Sequence, residues 1–365
     1  MSQKLYIHIG MPKTGTTGLQ FFMHKNRKAL REQGVYYPAT MREPHPTAIQ
    51  HRFINEYMRR LDRQGPESVA AFPHPIRRVS NEIISQGFQS NFISEELFSY
   101  DPAYAAEFLS GFRKNFDTKI VVFLRRQDTW AESMYAQSVR GGYKESFDHF
   151  LRAKHTKERM DFLEFLTIWS NYFGSENIIA LPYLDKETRS NSVIANLLGL
   201  NISLLNDSAQ RNTSLSGEAI SFIASLRSMR EVGYGKFNRI FGDHIANSTR
   251  KGSSVMFTPE ARAEFLKIYA DSNAEVARRF VDLDANTTSL FDLDPEKYPS
   301  SDAVMKSIEA PRKLEILKAI LTLHGKADVV SAMGGKPLSE AIEGLTDLVE
   351  SECRNFVIES QKSAP

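Results

Sequence analysis

The chain has 365 residues, 41% of them hydrophobic and 25% charged, which suits a globular protein with one sizeable domain or two smaller ones. Its 46 basic and 44 acidic side chains leave a formal charge of +2, which excludes a global field of the kind that gathers nucleic acid, so an anion must be held locally. One cysteine, Cys353, excludes an intramolecular disulfide and any cysteine-built zinc or iron–sulfur centre, and no metal is expected. The first strand follows Lys4 directly, leaving no room for a signal peptide, and no apolar run is long enough to span a bilayer; a cytoplasmic protein is expected.

Leu5, Tyr6, Ile7, His8 and Ile9 predict a short buried strand ending at Gly10, and Thr16 predicts the start of a helix. Helical spacing continues over 19–33, Gly34 ends it, and residues 35–38 predict a second strand. Residues 39–78 carry several prolines with His45, His51, His74, Arg42, Arg52, Arg59, Arg60, Arg77 and Arg78. They are expected to form an insertion above the sheet edge, with His51 and Arg52 as candidate contacts to an anionic acceptor. Strands are predicted at 91–94, 119–124 and 178–181, with helices over 104–115, 129–139 and 162–172 between them. Alternating strands and helices imply an α/β fold: an open parallel sheet with helices on both faces. From Asn191 the chain is mostly helical, over 192–198, 216–230, 259–280 and a tail from 311 to 361. The proline-bearing stretch 292–301 divides a main domain, 1–291, from a helical C-terminal extension, 292–365.

Between the first strand and its helix stands Gly10-Met11-Pro12-Lys13-Thr14-Gly15-Thr16-Thr17. Glycines for a tight turn, a lysine and hydroxyls at a helix start form a cradle for a phosphate or sulfate, because a helix N-terminus offers unpaired N–H groups and a favourable dipole. A Walker loop needs Gly-x-x-x-x-Gly-Lys-Ser/Thr. Gly10 and Gly15 have that spacing, but Thr16 occupies the lysine position and Lys13 lies in mid-loop instead. A second anion site is predicted at the end of the 119–124 strand. There Arg125 offers a forked donor, and Ser133, eight residues on along the next helix, offers a hydroxyl.

These two motifs, in this order, resemble those of sulfotransferases that use 3′-phosphoadenosine 5′-phosphosulfate (PAPS). Pro12, Lys13, Thr14, Gly15, Thr16 and Thr17 resemble the 5′-phosphosulfate loop, and Arg125 with Ser133 the pair that holds the 3′-phosphate. Trp169 with Gly174 and the Leu181-Pro182-Tyr183 strand end, the run from Arg211 to Ser216, and Lys251-Gly252 before a closing helix with Asn273 resemble later parts of the family. The resemblance covers roughly residues 4–280 and is nearest to bacterial enzymes acting on carbohydrates or small molecules. It departs from the phenol and steroid branch, whose further basic glycine motif and catalytic histidine context are not evident.

The resemblance implies sulfuryl transfer from PAPS to a hydroxyl, less readily an amine, of a carbohydrate or small-molecule acceptor, with Lys13 facing the leaving oxygen and Lys251 and Gly252 adding to the nucleotide site. The candidate base is a carboxylate at the end of the 91–94 strand, Glu96 or Glu95, with Glu96 matching the Ser-Ser-Glu-x-Leu pattern of related bacterial enzymes; His51 and His8 are runners-up. Two other readings stand beside it: a P-loop-type small-molecule kinase, which would want the missing Walker lysine and magnesium, and a nucleotide- or carbohydrate-binding protein without turnover. Neither the acceptor nor the oligomeric state follows from sequence.

Overall fold

A computed structural model describes residues 2–40, 74–143, 145–183, 190–207, 216–226, 234–250, 255–281, 290–294, 297–299 and 308–362. Five strands, β1 (Lys4–Ile9), β2 (Val35–Tyr36), β3 (Ser90–Glu95), β4 (Asp117–Arg125) and β5 (Ile178–Tyr183), form one open sheet in the order β2-β3-β1-β4-β5. Every pairing is parallel. This is the expected α/β architecture.

Alternation along the strands sends successive side chains to opposite faces. Leu5, Ile7 and Ile9 join Ile93, Ile120, Val122 and Leu124 in one apolar layer. Helices Pro75–Gln86, Pro102–Ser110, Phe162–Phe173 and Ala270–Phe280 supply its other side, through Ile83, Leu109, Trp169 and Val276 among others. Tyr6, Phe92, Val121 and Phe123 face the other way, where Leu19, Phe22 and Met23 of helix Thr16–Lys25 meet Ile194 and Ala195 of helix Ser190–Leu197. The sheet is therefore buried on both sides, as parallel sheets require.

The first helix is shorter than its spacing predicts. It stops at Lys25, and a second one begins at Arg27. The buried Asn26 makes the break: its amide donates to the carbonyls of Phe22 and Asn206 and accepts from the Asn206 N–H at 2.7 Å. An asparagine that competes for backbone partners ends a helix readily. Helix Pro75–Gln86 falls where sequence predicts the close of an insertion. Pro75 sits at its first turn, where the missing N–H costs nothing, and Ile76, Val79 and Ile83 are buried. Residues 41–73, including His51 and Arg52, lie outside the described residues.

The chain divides into two compact units. One comprises 1–127, 157–212 and 267–293 and holds the whole sheet. The other comprises 128–156, 213–266 and 294–365 and is helical throughout its described elements. Within it, Ile316, Leu317, Ile320 and Leu321 of helix Ala310–Leu323 are buried, as are Ala341, Leu345 and Val349 of helix Leu338–Lys362. Arg262 is buried there between the carboxylates of Asp128 and Glu132, and Glu132 also accepts from the N–H groups of Met256 and Phe257. So many partners are what a buried charge needs to be tolerated. Arg312 forks onto Glu218 at 2.8 and 2.9 Å.

Gly10 ends β1 where no side chain fits, because an added Cβ would stand 2.5 Å from Cγ2 of Thr16. Gly18, inside helix Thr16–Lys25, meets nothing within 4 Å. Gly10→Ala is therefore expected to lower stability by about 1–3 kcal/mol, the usual cost of overpacking, whereas Gly18→Ala raises it by about 1 kcal/mol. Thermal denaturation of both variants checks this; a Gly10→Ala protein as stable as the parent would contradict it.

Candidate active site

Strand order sets a switch point at the carboxyl ends of β1 and β4, the crevice position of an open parallel sheet. The connections leaving these neighbours run to opposite sides of the sheet, and such a switch point is where open α/β sheets bind ligands. Ile9 pairs with Glu95 and Arg125 with Tyr183, so four strand ends meet along this edge. The Gly10–Thr17 motif, Glu95, Glu96 and Arg125 all lie there, within the first unit.

The loop is tightly tied from within. Thr14 Oγ1 donates to the Met11 carbonyl at 2.6 Å and Thr16 Oγ1 to the same oxygen at 3.2 Å. Ser99 Oγ donates to the Gly10 carbonyl at 3.0 Å, and the Gly10 N–H donates to the Glu95 carbonyl. Two residues take left-handed backbone: Gly15 at φ 76° and Lys13 at φ 67°. For a lysine that conformation costs roughly 1–2 kcal/mol, and strain held by a surrounding network is a mark of functional loops. Gly15 is the N-cap of helix Thr16–Lys25 and offers no side chain to cap it. The first-turn N–H groups, which have no intrahelical acceptors, are thus left to solvent or to an anion.

The hydroxyls at the helix start do not all face outward. Thr14 and Thr16 are buried and turned onto Met11, while Thr17 is exposed. Thr16 can serve an anion through its N–H, because its hydroxyl is spent in holding the turn.

Arg125, on β4, donates from Nη1 to the Lys13 carbonyl at 3.0 Å, with its guanidinium 5.7 Å from the ring centre of Tyr183. The loop is braced on the same side by Ser190, whose Oγ donates to the Thr14 carbonyl. An added Cβ on Gly15 would stand 3.2 Å from that oxygen and 3.3 Å from the Tyr183 ring. Ser190 carries no sequence signal for this bracing, since it touches the loop only through a contact 176 positions away. Ser133 lies half-buried on helix Gln127–Arg140 and belongs to the second unit. Lys251, Gly252 and residues 211–215 fall outside the described residues.

The two candidate carboxylates are unlike. Glu95 is wholly buried at the end of β3. Glu96, the next residue, opens a short helical turn, Glu96–Ser99, and is half-buried, with no hydrogen bond or ion pair to its carboxylate among the described residues. Burial pushes its carboxyl above the usual glutamate value, while the charges of Lys13 and Arg159 pull it back. A carboxylate raised by burial is a stronger proton acceptor than an exposed one, and the neighbouring cations favour its negative form.

His8 has no such freedom. It is fully buried in β1, its Nδ1 2.8 Å from Ser94 Oγ, with rings of Phe92 and Phe123 against it. Burial pulls its pKa down to about 3. It is a neutral core imidazole, which removes it as a base. Among the described residues no group of three or more His, Cys, Asp or Glu side chains is arranged to hold a metal.

No protein-family model matches the chain. An uncharacterized protein of Archaeoglobus fulgidus is 27% identical over 199 residues, covering 52% of this chain and 53% of its own length. The chain thus spans about half the length of that curated relative. Among solved structures, a sulfotransferase from Alicyclobacillus acidocaldarius aligns over 63% of this chain and 94% of its own, with 13% identity and a TM-score of 0.34. That likeness is too distant to carry an argument. No described helix is long and apolar enough to cross a membrane.

The His8 environment has a measurable signature. In the unfolded chain its ring titrates near 6.5, so between that pH and about 3 the unfolded state holds the extra proton and stability falls as pH drops. His8 alone is expected to cost about 2 kcal/mol between pH 7 and 5, at about 1.4 kcal/mol per unit. Its ring resonances are expected to remain those of neutral imidazole over that range; a titration midpoint near 6.5 would contradict burial.

Proposed function

We propose that the chain transfers a sulfuryl group from PAPS to a hydroxyl of a carbohydrate or small-molecule acceptor. The observation that carries this reading is the junction of two anion-seeking elements at one crevice: the strained Lys13 loop and Arg125, whose guanidinium reaches that loop's carbonyl at 3.0 Å. Both can face a ligand that carries negative charge at more than one point.

Under this reading Pro12, Lys13, Thr14, Gly15, Thr16 and Thr17 hold the 5′-phosphosulfate, chiefly through main-chain N–H groups and the Lys13 ammonium. Arg125 serves the 3′-phosphate. The acceptor oxygen attacks sulfur in line with the bond to the bridging oxygen. That bond breaks, its electron pair leaves on the 5′-phosphate, and the hydroxyl proton passes to a carboxylate. Charge built up on the leaving oxygen is met by Lys13, and most of the acceleration comes from such positioning and electrostatics. Of the two glutamates, Glu96 is the base this reading favours, because it is half-buried and near Lys13 while Glu95 is closed off. His51 and Arg52 remain proposed acceptor contacts. No metal is assigned a part in this chemistry, and the single cysteine goes with a cytoplasmic setting.

Transfer from labelled PAPS to a panel of hydroxylated sugars and phenols tests the reading. Turnover is expected in the parent and a fall of about 100-fold or more in kcat for Glu96→Gln, the usual size of a general-base contribution. Near-parental kcat in both Glu96→Gln and Glu95→Gln would remove the carboxylate base. Arg125→Ala is expected to weaken nucleotide binding about tenfold to a hundredfold, since a hydrogen bond to a charged group contributes roughly 1.5–3 kcal/mol. Because Lys13 lowers the Glu96 carboxyl, Lys13→Met should move the acid limb of the pH–rate profile upward, readable in its residual activity. An unmoved or lowered limb would contradict that coupling.

A further inference from the structure

We propose that Arg159, laid over the ring of Tyr100 beside Glu96, is the seat for an anionic group, a carboxylate or a sulfate, on the acceptor itself. This deepens the sulfuryl-transfer reading and rests on it for the identity of the site.

The seat is built from the same turn that presents the candidate base. Ser99 ties the turn Glu96–Ser99 to the loop through the Gly10 carbonyl and closes it on the Glu96 carbonyl at 2.8 Å. The Tyr100 N–H continues it onto Leu97. Tyr100 therefore follows the base by one turn, on backbone anchored to the phosphate-type loop. Tyr100 is 44% exposed, so part of this side chain remains open to solvent.

Arg159, near the end of helix Lys154–Met160, holds its guanidinium carbon 4.3 Å from the centre of that ring. Stacking on an aromatic face orients a guanidinium and leaves its edge donors pointing outward. Among the described residues Arg159 makes no hydrogen bond or ion pair. A half-buried arginine with an aromatic backing and no carboxylate partner is suited to a carboxylate or sulfate, which it can grip through two parallel hydrogen bonds. The charge of Arg159 acts on both the Glu96 carboxyl and the Tyr100 hydroxyl, which agrees with the stacked geometry.

The chemistry fits the place. An acceptor that already bears negative charge would be repelled by Glu96, and a cation beside that carboxylate offsets the repulsion while orienting the acceptor. The exposed part of the Tyr100 ring gives a sugar or aromatic ring a surface to lie on. The inferred class is thus an acidic hydroxylated compound, such as a uronic acid, a partly sulfated sugar or a hydroxy-aromatic acid.

The test uses two pairs of probes that differ only in the acidic group: methyl β-glucuronide against methyl β-glucoside, and 4-hydroxybenzoate against 4-hydroxybenzyl alcohol. Binding to the full chain is measured by ligand-observed magnetic resonance with 3′-phosphoadenosine 5′-phosphate present. In at least one pair the acid is expected to bind about tenfold tighter, a difference of about 1.4 kcal/mol. Arg159→Gln should erase the preference and Arg159→Lys keep part of it, both at parental nucleotide affinity. No preference for the acid in either pair, or a preference that survives Arg159→Gln, overturns the seat. Nucleotide affinity in the same samples separates the two ideas. An Arg159-dependent acid preference without nucleotide binding would retain the seat and remove the PAPS reading, whereas nucleotide binding without acid preference would remove the seat alone.

Discussion

The organisation of the crevice depends on one oxygen atom, the carbonyl of Met11. It accepts from the hydroxyls of both Thr14 and Thr16, and so curls the chain through a left-handed lysine and a left-handed glycine before the first helix can begin. Without those bonds the loop would relax toward a wider turn, and the strain at Lys13 would have nothing to oppose it. Gly10 is bound into the same constraint, since any side chain there would strike Thr16. The sheet supplies the outer frame. β1 lies between β3 and β4, so the loop is bordered by Glu95 and Glu96 on one side and by Arg125 on the other.

This arrangement separates charges that would otherwise neutralise each other. The Glu96 carboxylate is half-buried, and the cations that influence it, Lys13 and Arg159, belong to different elements. Arg125, by contrast, is directed to a backbone carbonyl of the loop. The cations are close enough to lower the Glu96 carboxyl while standing on separate elements. Such tuning through environment is the general means by which a carboxylate becomes a base near neutral pH.

Much of this was legible in the sequence, because strand and loop signals are local. The run 119–124 is apolar and β-branched, and β4 proves only slightly longer, at Asp117–Arg125. The Gly10–Thr17 spacing predicts a strand-to-helix turn, and one is present. Features that depend on distant partners were not legible. The break at Asn26 requires Asn206, and the inward turn of the Thr16 hydroxyl follows from how the loop closes. Helix Tyr234–Ser248 begins beside glycines that argue against a helix, and sequence alone assigns none there. Arg159 and Tyr100 stand 59 positions apart, so no spacing rule joins them. The glutamate pair was legible as a pair, but only burial separates a closed Glu95 from an accessible Glu96.

The missing Walker lysine gives the central claim its sharpest form, because a cradle centred on Lys13 should choose nucleotides by their phosphate pattern and without magnesium. Calorimetric titration of the full chain with 3′-phosphoadenosine 5′-phosphate, ADP and ATP, each with and without magnesium, measures that choice directly. The account predicts that the 3′-phosphorylated nucleotide binds at least about tenfold tighter than ADP, equivalent to about 1.4 kcal/mol, and that magnesium leaves its affinity unchanged. Equal affinity for the three, or tight binding only of ATP with magnesium, would contradict it.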